Sequence, residues 1–348
     1  MNAARYFSPD YFTARNRFRE AAVRAGARLE TLPLLAKGPG GVQLGIDVAW
    51  AGADPPRRLL LHSSGLHGVE GFAGSAIQLR LLEDLPSLSP GTALVVAHVL
   101  NPYGMAWLRR VNENNVDLNR NFLDDRPYSG APPAYSMLDP FLNPKSRPGR
   151  DFYFLRAAFL IMRFGMPVLR QSVVGGQYEF PNGLFFGGKQ MEEGPRLYET
   201  FLERVRSAEK AIAIDVHTGL GKFKEDTLLV ASEDFVNLRN IFGTRVTPLQ
   251  PEQGAYRIEG GIETMIFRAF TKTRPIVIGQ EFGTCHSVRV LHALREENRW
   301  HHYGTGSPDH ATKRHLKNVF CPDNEPWREA VLKRGGELLE RAIAELDQ

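Results

Sequence analysis

Arg57-Arg58-Leu59-Leu60-Leu61-His62-Ser63-Ser64-Gly65-Leu66-His67-Gly68-Val69-Glu70-Gly71 reads as a buried strand, a glycine-rich turn and the start of a helix running from about Glu70 to Leu82. A short apolar run bounded by turn residues suits a strand covered on both faces, the usual situation in a parallel sheet. Thr92 to Pro102 (TALVVAHVLNP) repeats the pattern, and so do Ala211 to Gly219 (AIAIDVHTG) and Arg274 to Thr284 (RPIVIGQEFGT). Each run turns polar and ionisable where its strand would end. In open α/β sheets ligands bind at that edge, so four strands delivering polar groups there point to a cleft.

Working outward, Ser8-Pro9-Asp10 opens an amphipathic helix that ends near Gly26. Gly38-Pro39-Gly40-Gly41 is a turn between strand-like LETLPLL and VQLGIDVAW, and it precedes a strand, unlike a dinucleotide fingerprint. From about 123 to 209 the chain carries Pro-rich spacing, a helix expected near Asp151 to Arg170 and a glycine-dotted segment, which reads as an elaborated insertion. After Glu281 a loop-rich stretch leads to a terminal amphipathic helix interrupted at Gly335-Gly336. No repeats or low-complexity tracts occur.

The 348 residues have room for a substantial core, and 43% hydrophobic with 24% charged residues is an ordinary globular composition. The charged N-terminus lacks the apolar centre of a secretory signal, and no run of about eighteen apolar residues occurs. Arg156 and Arg163 break the nearest one, so no membrane partner and a cytoplasmic location are expected. Two cysteines, Cys285 and Cys321, exclude a disulfide framework and are expected as buried thiols. A net charge of +4 does not imply nucleic acid, because the Lys and Arg residues are interleaved with acids.

His67 and Glu70 stand three residues apart at a strand-to-helix turn, where both can reach one metal ion. Alone the pair reads first as a turn histidine beside a glutamate favoured at a helix N-terminus, and the metal reading needs a third ligand. His217, ending another buried strand, completes a set of two imidazoles and one carboxylate. A catalytic zinc takes such a set and leaves a fourth position open, where it lowers the pKa of water to about 7 and polarises a carbonyl. One zinc per chain is therefore expected. Amide hydrolysis also needs a proton acceptor, and Glu281 at the end of a further strand is the candidate general base. A salt-bridged strand end is its plainer reading.

HGVEG, then NPYGMAWLRRVNENNVDLNRNF, then DVHTG, then QEFGT, in this order from about Leu59 to Thr284, resembles the zinc carboxypeptidase superfamily. The resemblance implies His67, Glu70 and His217 as zinc ligands, Glu281 as base and Arg110 as the group that stabilises the oxyanion. It also implies Asn119 and Arg120 as the anchor for a substrate carboxylate, Asp117 as hydrogen-bond partner of a ligating histidine, and Tyr256 as a tyrosine closing over the substrate. Tyr103 departs from the signature, which usually has Asp there, and the interval from Arg120 to His217 is long.

Other signals are discounted. His301-His302, His310 and His315 read as a surface loop without structural-zinc spacing. Cys285-His286 reads as a packed thiol rather than a nucleophile, and Ser63, Ser64 and Ser75 lack a nucleophile elbow.

The expected fold is a single α/β domain over 1–348, a mixed, mostly parallel twisted sheet of about eight strands with helices on both faces. The expected function is a zinc-dependent hydrolase cleaving an amide beside a free carboxylate, first of all a metallocarboxypeptidase acting on peptides. The alternative is an N-acyl amino-acid deacylase resembling aspartoacylase and succinylglutamate desuccinylase. A non-catalytic binding module is the third reading.

Overall fold

The computed structural model describes residues 2–124, 126–249, 260–270 and 272–348, so Tyr256 lies outside the described residues. Eight strands form one sheet: β1 (Arg28–Lys37), β2 (Gln43–Gly52), β3 (Arg58–Ser64), β4 (Thr92–His98), β5 (Lys210–Gly219), β6 (Asp226–Val230), β7 (Val246–Pro248) and β8 (Ile276–Gly283). Their spatial order is β1-β2-β4-β3-β5-β8-β6-β7. The centre, β4-β3-β5-β8, is parallel throughout, and the antiparallel pairs are β1 with β2, β2 with β4 and β6 with β8.

The helices are α1 (Tyr11–Arg24), α2 (Gly71–Glu83), α3 (Pro102–Ala106), α4 (Pro133–Leu142), α5 (Tyr153–Phe164), α6 (Met166–Val174), α7 (Glu193–Leu202), α8 (Phe235–Phe242), α9 (Ile262–Ala269), α10 (Ser287–Tyr303), α11 (Ala311–Phe320) and α12 (Glu325–Leu346). Alternation along the strands sends Leu60, Leu94, Ile212 and Ile278 into a core with α1, α2 and α12. It sends Leu59, Leu61, Val95, Ala213 and Val277 into a second core with α7 and α9. The sheet is thus covered on both faces, which is why its central strands are apolar without interruption.

Three sequence expectations are corrected. The single helix expected near Asp151 to Arg170 is two helices, α5 and α6, bent by 109° at Gly165. The stretch after Glu281 is not loop-rich but holds α10 and α11, whose apolar spacing is hidden among charged residues that pair internally, such as Arg295 with Glu296. Gly335-Gly336 does not interrupt α12, because a Cβ at Gly335 would stand 2.6 Å from the Ile77 side chain. That glycine lets α12 close onto α2, and close approach rather than a break explains it.

His62 on β3 and His98 on β4 are fully buried, and each keeps one ring nitrogen without a hydrogen-bond partner. Burial pushes both pKa values down to about 4. Both rings are neutral in the fold, whereas the unfolded chain takes up protons below its ordinary histidine pKa of about 6.5. Stability from this source is therefore complete above pH 6.5 and is lost as pH falls toward 4, by roughly 3 kcal/mol per histidine. Urea midpoints at pH 7 and pH 4.5 should show the drop, and a smaller one in His98→Asn; equal drops would show that His98 charges inside the fold.

Candidate metal centre

The chain leaves β3, crosses to β4 on one side, and later returns as β5 on the other side of β3. The crevice beyond the C-terminal ends of β3 and β5 is thus a topological switch point, where side chains from two diverging connections converge. His67 follows β3, and a single helical turn (Gly68–Glu70) carries Glu70 to the start of α2. Gly68 is required there, because a Cβ would lie 2.2 Å from the backbone of Gly104 in α3. The same turn is tied down by the Val69 N–H donating to Arg109 O at 2.9 Å. The HGVE and NPYG segments are therefore halves of one support. His217 lies near the end of β5, in register with Glu281 on neighbouring β8.

The three predicted ligands meet. His67 Nδ1 is 3.0 Å from Glu70 Oε1 and 3.2 Å from His217 Nδ1, and His217 Nδ1 is 3.5 Å from Glu70 Oε2. Donors about 2.1 Å from a tetrahedral zinc stand roughly 3.4 Å from one another, so the spacing fits that ion. The outer nitrogens are held by carboxylates: His67 Nε2 faces Asp117 Oδ1 at 3.0 Å, and His217 Nε2 faces Asp215 Oδ2 at 2.6 Å. With a metal at Nδ1 such carboxylates would hold the outer N–H groups, and Arg110 Nη2 also stands 2.7 Å from His67 Nε2. Among the described residues this is the one cluster of His, Cys, Asp and Glu with ligand spacing.

The charges also ask for a cation. Burial opposes ionisation of Glu70, but His67, His217 and Arg110 hold its carboxyl below the usual range. Burial likewise opposes a charged Asp117, and Arg110, Arg120 and His67 outweigh it. His217 is buried too, yet Asp215 and Glu70 raise its pKa well above the ordinary value. Glu70, Asp117, Asp215 and Glu281 share the site with the guanidiniums of Arg110 and Arg120 and with the proton that Asp215 and Glu70 draw onto His217, and a divalent ion would take that proton's place.

Glu281 is half-buried, and its Oε1 accepts the Leu220 N–H at 2.8 Å. Burial, then the charge of Glu70, pushes its pKa up to about 7. Arg110 donates from Nη1 to Asp117, places Nε 3.5 Å from Glu70 Oε1 and lies over the Phe185 ring. The neighbouring Arg109 sits fully buried behind it, bound to Glu297 at 2.9 Å, with Lys313 on the same carboxylate at 2.5 Å. This network anchors α10 and α11 behind the Arg110 segment.

Asn119 and Arg120 border the same cavity as the ligands. Arg120 donates from Nε and Nη2 to Val174 O, at 3.0 and 2.6 Å, and from Nη1 to Asn119 O, while Asn119 Oδ1 accepts the Ile262 N–H. Both residues thereby fasten α6 and α9 to the rim. Asp215 was missed as a site residue; its signal was its position two residues before His217, which on a strand puts both on one face. The histidine patch does not form a loop: His301 and His302 end α10 half-buried, with pKa values pushed down by burial to about 3 and about 4. Cys285 is half-buried, and burial raises its thiol pKa, the opposite of an activated nucleophile.

The fold is carboxypeptidase-like. The chain is similar in structure to carboxypeptidase A from Helicoverpa armigera (TM-score 0.51, 13% identity, covering 98% of this chain and 75% of that one). It is likewise similar to bovine thrombin-activatable fibrinolysis inhibitor (TM-score 0.53, 11% identity, covering 98% and 97%). Within that fold, residues 7–334 match the family described as "Protein of unknown function (DUF2817)", and the chain belongs to it. No curated protein sequence matches the chain.

Proposed function

We propose that the protein is a zinc-dependent hydrolase that cleaves an amide bond next to a free carboxylate. The observation that carries this reading is the meeting of His67, Glu70 and His217 at donor spacing, with Glu281 and Arg110 bordering the same cavity. A zinc ion held by those three residues supplies Lewis acidity toward a carbonyl oxygen and acidifies water.

The chain's own groups do the rest. Glu281 Oε takes the proton of the attacking water and passes it to the leaving nitrogen, a task suited to a carboxylate whose pKa lies near neutrality. Arg110 sits where negative charge grows on the carbonyl oxygen, and Asp117 keeps that guanidinium from swinging away. Asp117 and Asp215 hold the two imidazoles in orientation. Asn119 and Arg120, which line the cavity, carry the substrate-carboxylate role, Arg120 through guanidinium hydrogens beyond those given to Val174 O and Asn119 O.

Peptides with a free C-terminus are the first substrate class, because the anchor and the base are those of the carboxypeptidase-like sequence signature. An N-acyl amino acid is the second, favoured by the apolar lining of the cavity, which includes Leu138, Phe141 and Leu160. The zinc-loaded protein should release amino acid from C-terminal dipeptides or from N-acyl amino acids. Turnover of neither set, with metal bound, would reject the hydrolase.

A further inference from the structure

The cavity at the metal centre does not stop at the polar groups. It continues beneath the insertion, where Leu138 and Phe141 of α4, Ala157, Leu160 and Ile161 of α5 and Leu169 of α6 line it. Its interior measures about 190 Å³. That volume includes the metal centre, and since an apolar cavity of about 150 Å³ holds a benzene ring, the enclosed part takes a chain of about six carbons while a longer tail runs out through the cavity's open side. Val288, Leu291 and Leu294 of α10, the helix that follows the Glu281 strand, line it as well.

The α5–α6 pair is apolar on both sides. Ala157, Leu160 and Ile161 turn inward, whereas Leu155, Phe159 and Met162, spaced as one helical stripe, are 71%, 56% and 79% exposed. Arg156 and Arg163 stand among them, and from Phe152 to Val174 the chain holds no acidic residue. An apolar surface studded with guanidiniums complements a molecule that has a hydrocarbon tail and a carboxylate head.

We infer that the chamber takes a long hydrocarbon chain, so that the substrate of the metal centre is an amide joining a fatty-acyl group to an amino acid with a free carboxylate. This rests on the hydrolase reading for turnover, but not for binding. The C–N bond breaks, water supplies hydroxyl to the acyl carbon and a proton to the nitrogen, and a fatty acid and an amino acid leave. Each methylene transferred from water to the chamber strengthens binding up to about four-fold.

The test compares N-acetyl-, N-octanoyl- and N-dodecanoyl-glycine, with glycyl-phenylalanine as the peptide reference, on zinc-loaded protein. It also titrates N-dodecanoyl-glycine calorimetrically into chelator-treated protein, where hydrolysis cannot contribute. The expected result is kcat/KM rising at least a hundred-fold from acetyl to dodecanoyl, and binding to the metal-free protein. Ala157→Trp, and Leu160→Trp as a second variant, should lower the dodecanoyl-to-acetyl ratio and weaken that binding ten-fold or more. A flat series with no binding overturns the inference, and hydrolysis of glycyl-phenylalanine in that case leaves the hydrolase standing. Tail-dependent binding without any turnover supports the chamber and removes the hydrolase instead.

Discussion

Glu281→Gln is expected to keep its zinc and to lose about 10²- to 10⁴-fold in kcat. The substitution preserves size and leaves an oxygen to accept the Leu220 N–H, so the strand end need not move. It removes the one feature the reaction needs there, an oxygen that accepts a proton and gives it back. The pKa near 7 arises because half-buried Glu281 loses solvation and stands near another negative carboxylate, Glu70. A cation between the ligands offsets that neighbour and increases the ionised fraction at neutral pH. Steady-state kinetics with metal analysis on the same preparation checks both halves of the expectation. Wild-type turnover would remove Glu281 from the mechanism, and loss of zinc would make it part of the metal site instead.

His217→Ala should abolish metal binding and activity together. The wild-type protein should hold about one zinc per chain, since three protein donors close enough to share an ion occur once among the described residues. Asp215→Asn tests the same site more gently. Asparagine fills the same space but cannot offer His217 a charged acceptor, and loss of such a partner weakens metal affinity about 10- to 100-fold. Stability provides a readout independent of turnover: zinc at a hundred times its dissociation constant should stabilise the wild-type fold by about 2.7 kcal/mol. His217→Ala should show none of this gain. Wild-type protein that stays metal-free and gains no stability when zinc is supplied would remove the metal centre altogether.

The metal-centre strands and the α4–α6 segment separate what the sequence determined from what needed the fold. The central strands, the turn at His67 and the helix after it were legible, because a doubly covered strand has to be apolar and a turn against another backbone has to be glycine. The ligand trio was legible for a related reason: each member ends a recognisable strand or opens a recognisable helix, and strand ends gather at one edge of a parallel sheet.

Tertiary structure alone decided other matters. Asp117 became the partner of the His67 imidazole only when the segment after β3 and the segment before Arg120 met, since a hydrogen bond between residues 50 apart leaves no local pattern, whereas Asp215 pairs with His217 two residues along the same strand. Helices α10 and α11 were hidden because Arg295, Arg299, Glu296, Glu297 and Lys313 are charged yet buried, neutralising one another inside the molecule where a periodicity argument expects apolar side chains. The chamber lies furthest from the sequence. Its apolar residues look like any amphipathic packing, and the distinction between a face that fills a core and one that encloses space depends on how far apart the opposing helices stand.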